Sequence, residues 1–179
     1  MAFNISEDVL QKAKKVKALL FDVDGVLTDG GIVYDNSGQE FKRFNVKDGQ
    51  IIKYLKKYGI LTGVITGRDS MVVRNRCTEL GIDLHYHGIH NKLEIFQQIL
   101  VERKLDPDQI AYIGDDINDL PVLVRCGLSA TPADGHWAVQ EKVDIVLNQK
   151  GGEGALRELA DLILLAQGEY EEMIGNLTE

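Results

Sequence analysis

An apolar run of strand length, Val16-Lys17-Ala18-Leu19-Leu20-Phe21, stops at Asp22-Val23-Asp24-Gly25. Two carboxylates one residue apart, set directly after a buried run, are costly unless something cationic meets them. The pattern recurs along the chain. Residues 60–65 run into Thr66-Gly67-Arg68, and residues 110–113 into Gly114-Asp115-Asp116-Ile117-Asn118-Asp119. Between these runs lie helical stretches at 48–58 before Gly59, at 69–80 before Gly81, and at 92–104, 118–124 and 155–167. Further strands are expected at 82–86, 128–130 and 144–147, and a short first helix over 6–15 with Ser6 as N-cap. A β-hairpin is expected over about 31–45, around the turn residues Asp35-Asn36-Ser37-Gly38.

Apolar strands alternating with helices indicate an α/β fold, a Rossmann-like, mostly parallel sheet with helices on both faces plus a hairpin flap. No linker or repeat interrupts residues 1–179, so they are read as one domain, with a solvated tail from about 168 to 179. In open sheets of this kind ligands bind outside the carboxyl ends of the strands, which is where the acids fall.

A net charge of −8 argues against a nucleic-acid footprint, which would be basic. No apolar run approaches the roughly 20 residues needed to span a bilayer, so no membrane role is expected. The opening residues lack a secretory pattern, and Cys77 and Cys126 lack metal spacing, so a cytoplasmic location is expected. His85, His87 and His90 lie close in sequence without a fourth zinc ligand.

If the acid-bearing strands are neighbours, their carboxylates converge on one crevice. A hard divalent cation with oxygen ligands, magnesium, would offset their repulsion. Phosphoryl transfer then becomes the natural chemistry. A carboxylate attacks phosphorus to form an aspartyl-phosphate, and a second acid protonates the leaving alkoxide and later activates water. The Thr66 hydroxyl and the Lys92 ammonium would meet phosphoryl oxygens.

These segments, in order, resemble the motifs of the haloacid dehalogenase superfamily of phosphatases: Asp22-Val23-Asp24-Gly25-Val26-Leu27-Thr28-Asp29, Thr66-Gly67-Arg68, Lys92, and Gly114-Asp115-Asp116-Ile117-Asn118-Asp119. The resemblance implies Asp22 as nucleophile and Asp24 as acid/base. It implies Thr66, Gly67 and Lys92 as phosphoryl-binding residues. Magnesium would be held by Asp22, Asp115 and the Asp24 carbonyl, with Asp116 and Asp119 in support.

The gaps between motifs are too short for a cap domain, since independent domains usually need at least about 50 residues. An uncapped crevice suits a macromolecular substrate, or else a neighbouring subunit supplies the lid, with the hairpin as the candidate contact. The chain further resembles the capless, tetrameric branch of 3-deoxy-D-manno-octulosonate 8-phosphate phosphatases. The stretches that carry this are Thr28-Asp29-Gly30, Val46-Lys47-Asp48-Gly49, Gly67-Arg68-Asp69-Ser70 and 151–158. By that resemblance the substrate is a small phosphorylated sugar acid. Asp48 joins the substrate site, the C-terminal glycine-rich segment and Arg157 help close an active site, the assembly is a homotetramer, and the product feeds lipopolysaccharide synthesis. Arg68 and Arg76, read as lying on one helix near the same face, are expected to pair with the substrate carboxylate. The alternatives are a sialic-acid-type 9-phosphate phosphatase and a non-catalytic subunit on the same fold.

Overall fold

The computed structural model describes residues 5–178. Six strands form one parallel sheet: β1 (Ala18–Phe21), β4 (Leu61–Ile65), β5 (Leu84–Tyr86), β6 (Ile110–Ile113), β7 (Leu128–Thr131) and β8 (Ile145–Val146). Their order is β5-β4-β1-β6-β7-β8, so the chain reverses direction of winding about the central strand β1. The remaining strands, β2 (Val33–Tyr34) and β3 (Glu40–Phe41), pair antiparallel as the expected hairpin.

Successive residues of a strand face opposite sides of the sheet, and both central strands use this to build two cores. Leu19, Phe21, Ala111 and Ile113 pack under one layer of helices, α1 (Glu7–Lys14), α2 (Val46–Lys57), α3 (Met71–Leu80) and α7 (Ala155–Gln167). Ala18, Leu20, Ile110 and Tyr112 pack under the other, α4 (Lys92–Arg103), α5 (Leu120–Leu123) and α6 (Trp137–Gln140). Strands buried on both faces read as continuous apolar runs, as these do.

Three local differences from the sequence reading have clear causes. Ser70 caps α3, its side chain accepting from the Val73 N–H, so the helix begins at Met71 and Arg68 stays in the preceding turn. Arg68 and Arg76 therefore do not share a helix face. The stretch after Asp116 opens with a tight turn over Ile117–Asp119 before α5, as Pro121 fits only the first turn of a helix. Beyond Gly168, in the left-handed conformation at φ 81°, the chain forms α8 (Glu169–Thr178) in place of a solvated tail. Met173 is buried there and Tyr170 packs beside it against the first core.

Candidate active site

Parallel pairing sets the strand ends level. Phe21 lies opposite Val64 on one side and Ile113 on the other. The next residues, Asp22, the loop at Thr66, and Gly114-Asp115-Asp116, therefore emerge at one edge of the sheet. Lys92, the first residue of α4, reaches the same place from below. Its Nζ donates to Asp22 Oδ2 at 2.6 Å and to Asp119 Oδ1 at 2.6 Å. All three side chains are buried.

Asp119 is fully saturated. Its Oδ1 also accepts from the Tyr112 hydroxyl at 2.6 Å, and its Oδ2 accepts from the Asp115 and Asp116 N–H groups at 3.2 and 3.3 Å. It thus fixes the Lys92 ammonium from one side and the Asp115 loop from the other. Asp22 Oδ1 accepts from the Val23 N–H at 2.7 Å. Thr66, also buried, lies in a loop held by its own N–H on Tyr86 O and its carbonyl under Ile89 N–H, each at 3.0 Å.

Charge crowding shows in the protonation equilibria. Burial pushes Asp22 up to about 6, with the nearby Asp119 adding to the rise and Lys92 opposing it. Burial, followed by Asp22 and Asp119, pushes Asp115 up to about 7. Lys92 stays above its ordinary value because the two carboxylates outweigh its own burial. These carboxylates call for a second cation.

Asp22, Asp115 and Asp119 each offer an oxygen, all within 4.8 Å of one another. With Asp119 saturated, Asp22 and Asp115 are the two left to face an ion, and no hydrogen-bond donor among the described residues reaches the Asp115 carboxylate. An all-oxygen donor set suits magnesium. Gly25 makes the approach possible: with φ 82°, it would place a Cβ 2.0 Å from Asp115 Oδ2. The residues present fit a magnesium ion.

Above this floor lies a cleft of about 240 Å³, lined by Asp22, Asp24, Thr66, Gly67, Arg68, Asp115 and Asp116, together with Gly30 and Asn118. Asp24 hangs at its edge, paired with Lys42 of the hairpin and 3.8 Å from Arg68 Nε. The Thr28 hydroxyl donates to Asp24 Oδ1 at 3.4 Å.

Two residues assigned to the substrate lie elsewhere. Arg76 donates to Glu79 at 2.9 Å and stacks over Phe44 at 5.7 Å, packed against Gly49 of α2. Asp48, in the first turn of α2, is buried against the start of α7, where it accepts from the Arg157 N–H at 2.8 Å. Burial raises Asp48 to about 6. The glycine-rich segment packs on its own chain: Gly152 N–H donates to Val26 O at 2.9 Å, and a Cβ on Gly151 would sit 1.9 Å from Gly25 O. Arg157 borders a separate groove with Lys47, Gln50 and Tyr170. His85 and His87 contact each other at 3.0 Å, away from the cleft.

Four residues at the site are not marked as site residues by the sequence, Tyr34 reading as a hairpin interface or packing residue. Tyr112 sits in an apolar strand run, where nothing signals that its hydroxyl meets a carboxylate. Tyr34, Glu40 and Lys42 come from the hairpin. Their alternation with Val33 and Phe41 suggests two different faces, but not which groups the polar one would meet.

Residues 40–127 match the family model of haloacid dehalogenase-like hydrolases, a span that holds Thr66, Lys92 and Asp115 but not Asp22. The chain is 44% identical over 171 residues to the 3-deoxy-D-manno-octulosonate 8-phosphate phosphatase KdsC of Escherichia coli K12, covering 96% of this chain and 91% of that one. The crystal structure of the phosphatase of the same name from Yersinia pestis superposes with a TM-score of 0.92 at 43% identity, over 93% of this chain and 90% of that one. That of Moraxella catarrhalis, in complex with magnesium, phosphate and the octulosonate KDO, gives a TM-score of 0.93 at 36% identity, over 95% and 98%.

Proposed function

The chain belongs to the haloacid dehalogenase-like hydrolases, among their 3-deoxy-D-manno-octulosonate 8-phosphate phosphatases, and from that premise we propose how its residues carry out the reaction. It is a magnesium-dependent phosphomonoester hydrolase that converts the 8-phosphate of this sugar acid to the free octulosonate and phosphate. The geometry of the cleft supports the following residue roles.

Asp22 is the nucleophile. Its carboxylate attacks phosphorus, the bond to the sugar oxygen breaks, and an aspartyl-phosphate forms on Asp22. Asp24 gives a proton to the departing alkoxide. It then takes one from the water that hydrolyses the aspartyl-phosphate, which restores both carboxyl groups. Lys92 supports the ionised form of Asp22 against its burial and offers positive charge beside the phosphoryl group. The Thr66 hydroxyl donates to a phosphoryl oxygen. Asp22, Asp115 and the Asp24 carbonyl would hold the magnesium, which when bound neutralises charge on the phosphoryl oxygens. Asp119 and Tyr112 keep Lys92 and the Asp115 loop in place. At the cleft edge Arg68 meets the substrate carboxylate.

The observation that carries this reading is the buried Lys92 bridging Asp22 and Asp119 at the base of a cleft that also holds Asp115 and Thr66. Phosphate release from the octulosonate 8-phosphate and from a sialic-acid-type 9-phosphate, with and without magnesium, tests it. Higher catalytic efficiency on the 8-phosphate, only with magnesium, is expected. Equal or greater efficiency on the 9-phosphate would reassign the substrate.

The assembly is a homotetramer in this proposal, located in the cytoplasm and supplying lipopolysaccharide synthesis. Among the described residues no helix is long and apolar enough to cross a membrane. The hairpin supports the tetramer: its polar side chains, Tyr34, Glu40 and Lys42, turn to its own chain's site, while Ile32, Val33 and Phe41 stay exposed. Light scattering should give a mass near four chains, and a fully active monomer would overturn the assembly.

A further inference from the structure

We infer that Glu40 is a positioning residue that sets the substrate preference of this site, by holding Arg68 where its guanidinium meets the carboxylate of a sugar-acid phosphate. This rests on the phosphatase reading above and adds to it a residue with no part in the chemistry.

Glu40 lies on β3, and its side chain is only 13% exposed. It sits at the meeting point of three groups. Its Oε1 accepts from Arg68 Nη2 at 3.2 Å and lies 3.7 Å from Lys42 Nζ. Its Oε2 accepts from the Ser70 hydroxyl. Ser70 is the N-cap of α3, so Glu40 is tied to the start of a helix rather than to another loop. The Ser70 hydrogen bond, with Lys42 and Arg68 assisting against burial, holds Glu40 below the usual carboxylate range. It therefore remains an anion between two cations.

Arg68 is 41% exposed, and a long side chain of that kind has several orientations open to it. Two hairpin groups remove that freedom at one end of the guanidinium: Nη2 donates to Glu40 and, at 2.8 Å, to the Tyr34 hydroxyl. Nε points towards Asp24 Oδ2, 3.8 Å away and beyond hydrogen-bond distance. No hydrogen bond among the described residues uses Nη1. The guanidinium is thus pinned by one nitrogen and open at another, beside the cleft it lines.

Without Glu40 the local charges no longer balance. Arg68 and Lys42 would be left with one shared carboxyl group, that of Asp24. Arg68 would close its 3.8 Å gap to Asp24 or turn into solvent, and in either case leave the substrate carboxylate without its partner. Glu40 keeps the arginine off Asp24 and directed at the ligand.

The test compares two substrates, the octulosonate 8-phosphate and the carboxylate-free ester p-nitrophenyl phosphate, across the parent, Glu40→Ala, Glu40→Asp, Arg68→Ala and the Glu40→Ala/Arg68→Ala double variant. Glu40→Ala should lower kcat/KM for the sugar acid by about 10- to 50-fold, mainly through KM, the scale of one charge-assisted hydrogen bond. Its loss on the simple ester should be about threefold at most. Glu40→Asp should recover much of the loss, and the double variant should be no worse than Arg68→Ala alone. If Glu40→Ala does not fold, the isosteric Glu40→Gln provides the same comparison.

Equal losses on both substrates would show that Glu40 acts through Lys42 and Asp24 or through folding, and would overturn the inference. So would a further loss in the double variant. Failure of Arg68→Ala to discriminate between the substrates would instead remove Arg68 from carboxylate recognition, and the inference with it. A parent protein inactive on the octulosonate 8-phosphate would overturn the function itself.

Discussion

Lys92 and Lys42 each place an ammonium on a carboxylate of the same cleft, but the two regions that carry them are built differently. Lys92 opens α4 on the main sheet, and both of its partners, Asp22 and Asp119, are buried. Asp119 is held in turn by Tyr112 and two backbone N–H groups. Lys42 comes from a hairpin of two-residue strands; its own side chain is buried, but its partner Asp24 is half-buried at the cleft edge. The floor is determined by strand register, so a shift there would disturb both cores. The rim is determined by side chains on a flap whose far face is exposed, so it can change without disturbing the sheet. In the proposed reaction, chemistry common to any phosphate ester is assigned to the first, and selection among esters to the second.

The sharpest attempt to break this division is Asp22→Asn. The amide keeps the volume and can still accept from the Val23 N–H, while Lys92 keeps Asp119, so the fold should survive. Loss of the nucleophile should lower kcat by at least about 10³-fold on every ester, with an unchanged circular dichroism spectrum. Turnover within tenfold of the parent would remove Asp22 from the chemistry.

Lys92→Met tests the floor's second property, that it holds structure and reactivity together. The substitution leaves Asp22, Asp115 and Asp119 crowded without their buried cation. Breaking a buried pair typically costs about 3–5 kcal/mol. Urea unfolding should show a loss of that order, along with a fall in activity of about 10²-fold on both substrate types. Lys42→Met should show a smaller stability change, since Asp24 is partly exposed to water and Arg68 remains beside both Asp24 and Glu40. Equal destabilisation by the two substitutions would erase the distinction between floor and rim.

The same division explains what was legible in the sequence. Asp22, Thr66, Lys92 and Asp115 each follow or open a regular element, and parallel strands in register bring such residues to one edge. Their convergence is therefore contained in the alternation of apolar runs and helices. Arg76 and Arg68 show helical spacing in the sequence, but the Ser70 cap that starts α3 lies between them and separates their faces. Asp48 carries a charge near a glycine, but its partner, the Arg157 backbone, is more than a hundred residues away and leaves no local pattern. Tyr112 is hidden for the opposite reason, since its ring satisfies the apolar pattern of β6 and its hydroxyl makes no mark on it. The helix α8 is masked by Gly168 and a run of acids, although Tyr170 and Met173 have the three-residue spacing of a buried face.

A pH experiment sharpens the comparison through the cation the floor calls for. Asp22 and Asp115 are raised, by burial first, to about 6 and about 7. Without metal, the folded protein therefore holds protons that the unfolded chain has released, between an ordinary carboxyl value and about pH 7. Stability falls with rising pH across that window. Asp48, raised to about 6 outside the cleft, adds a decline that metal does not relieve. The informative quantity is thus the difference in Tm with and without magnesium. It should grow from pH 5 to pH 8 by ~3 °C or more. A magnesium effect of equal size at both pH values would take Asp22 and Asp115 out of ion binding.

The smallest expected effect belongs to the rim. Tyr34→Phe removes the 2.8 Å hydrogen bond to Arg68 Nη2 and leaves the Glu40 contact intact. Tyr34 is exposed, so water can replace the lost hydroxyl, and the net worth of such a bond is about 0.5–1.5 kcal/mol at most. Catalytic efficiency on the octulosonate 8-phosphate should fall by about threefold, through KM, with little change on p-nitrophenyl phosphate and none in Tm. A loss as large as that of Glu40→Ala would mean that the hydroxyl and the carboxylate hold Arg68 as one unit, and the rim would then be as tightly coupled as the floor beneath it.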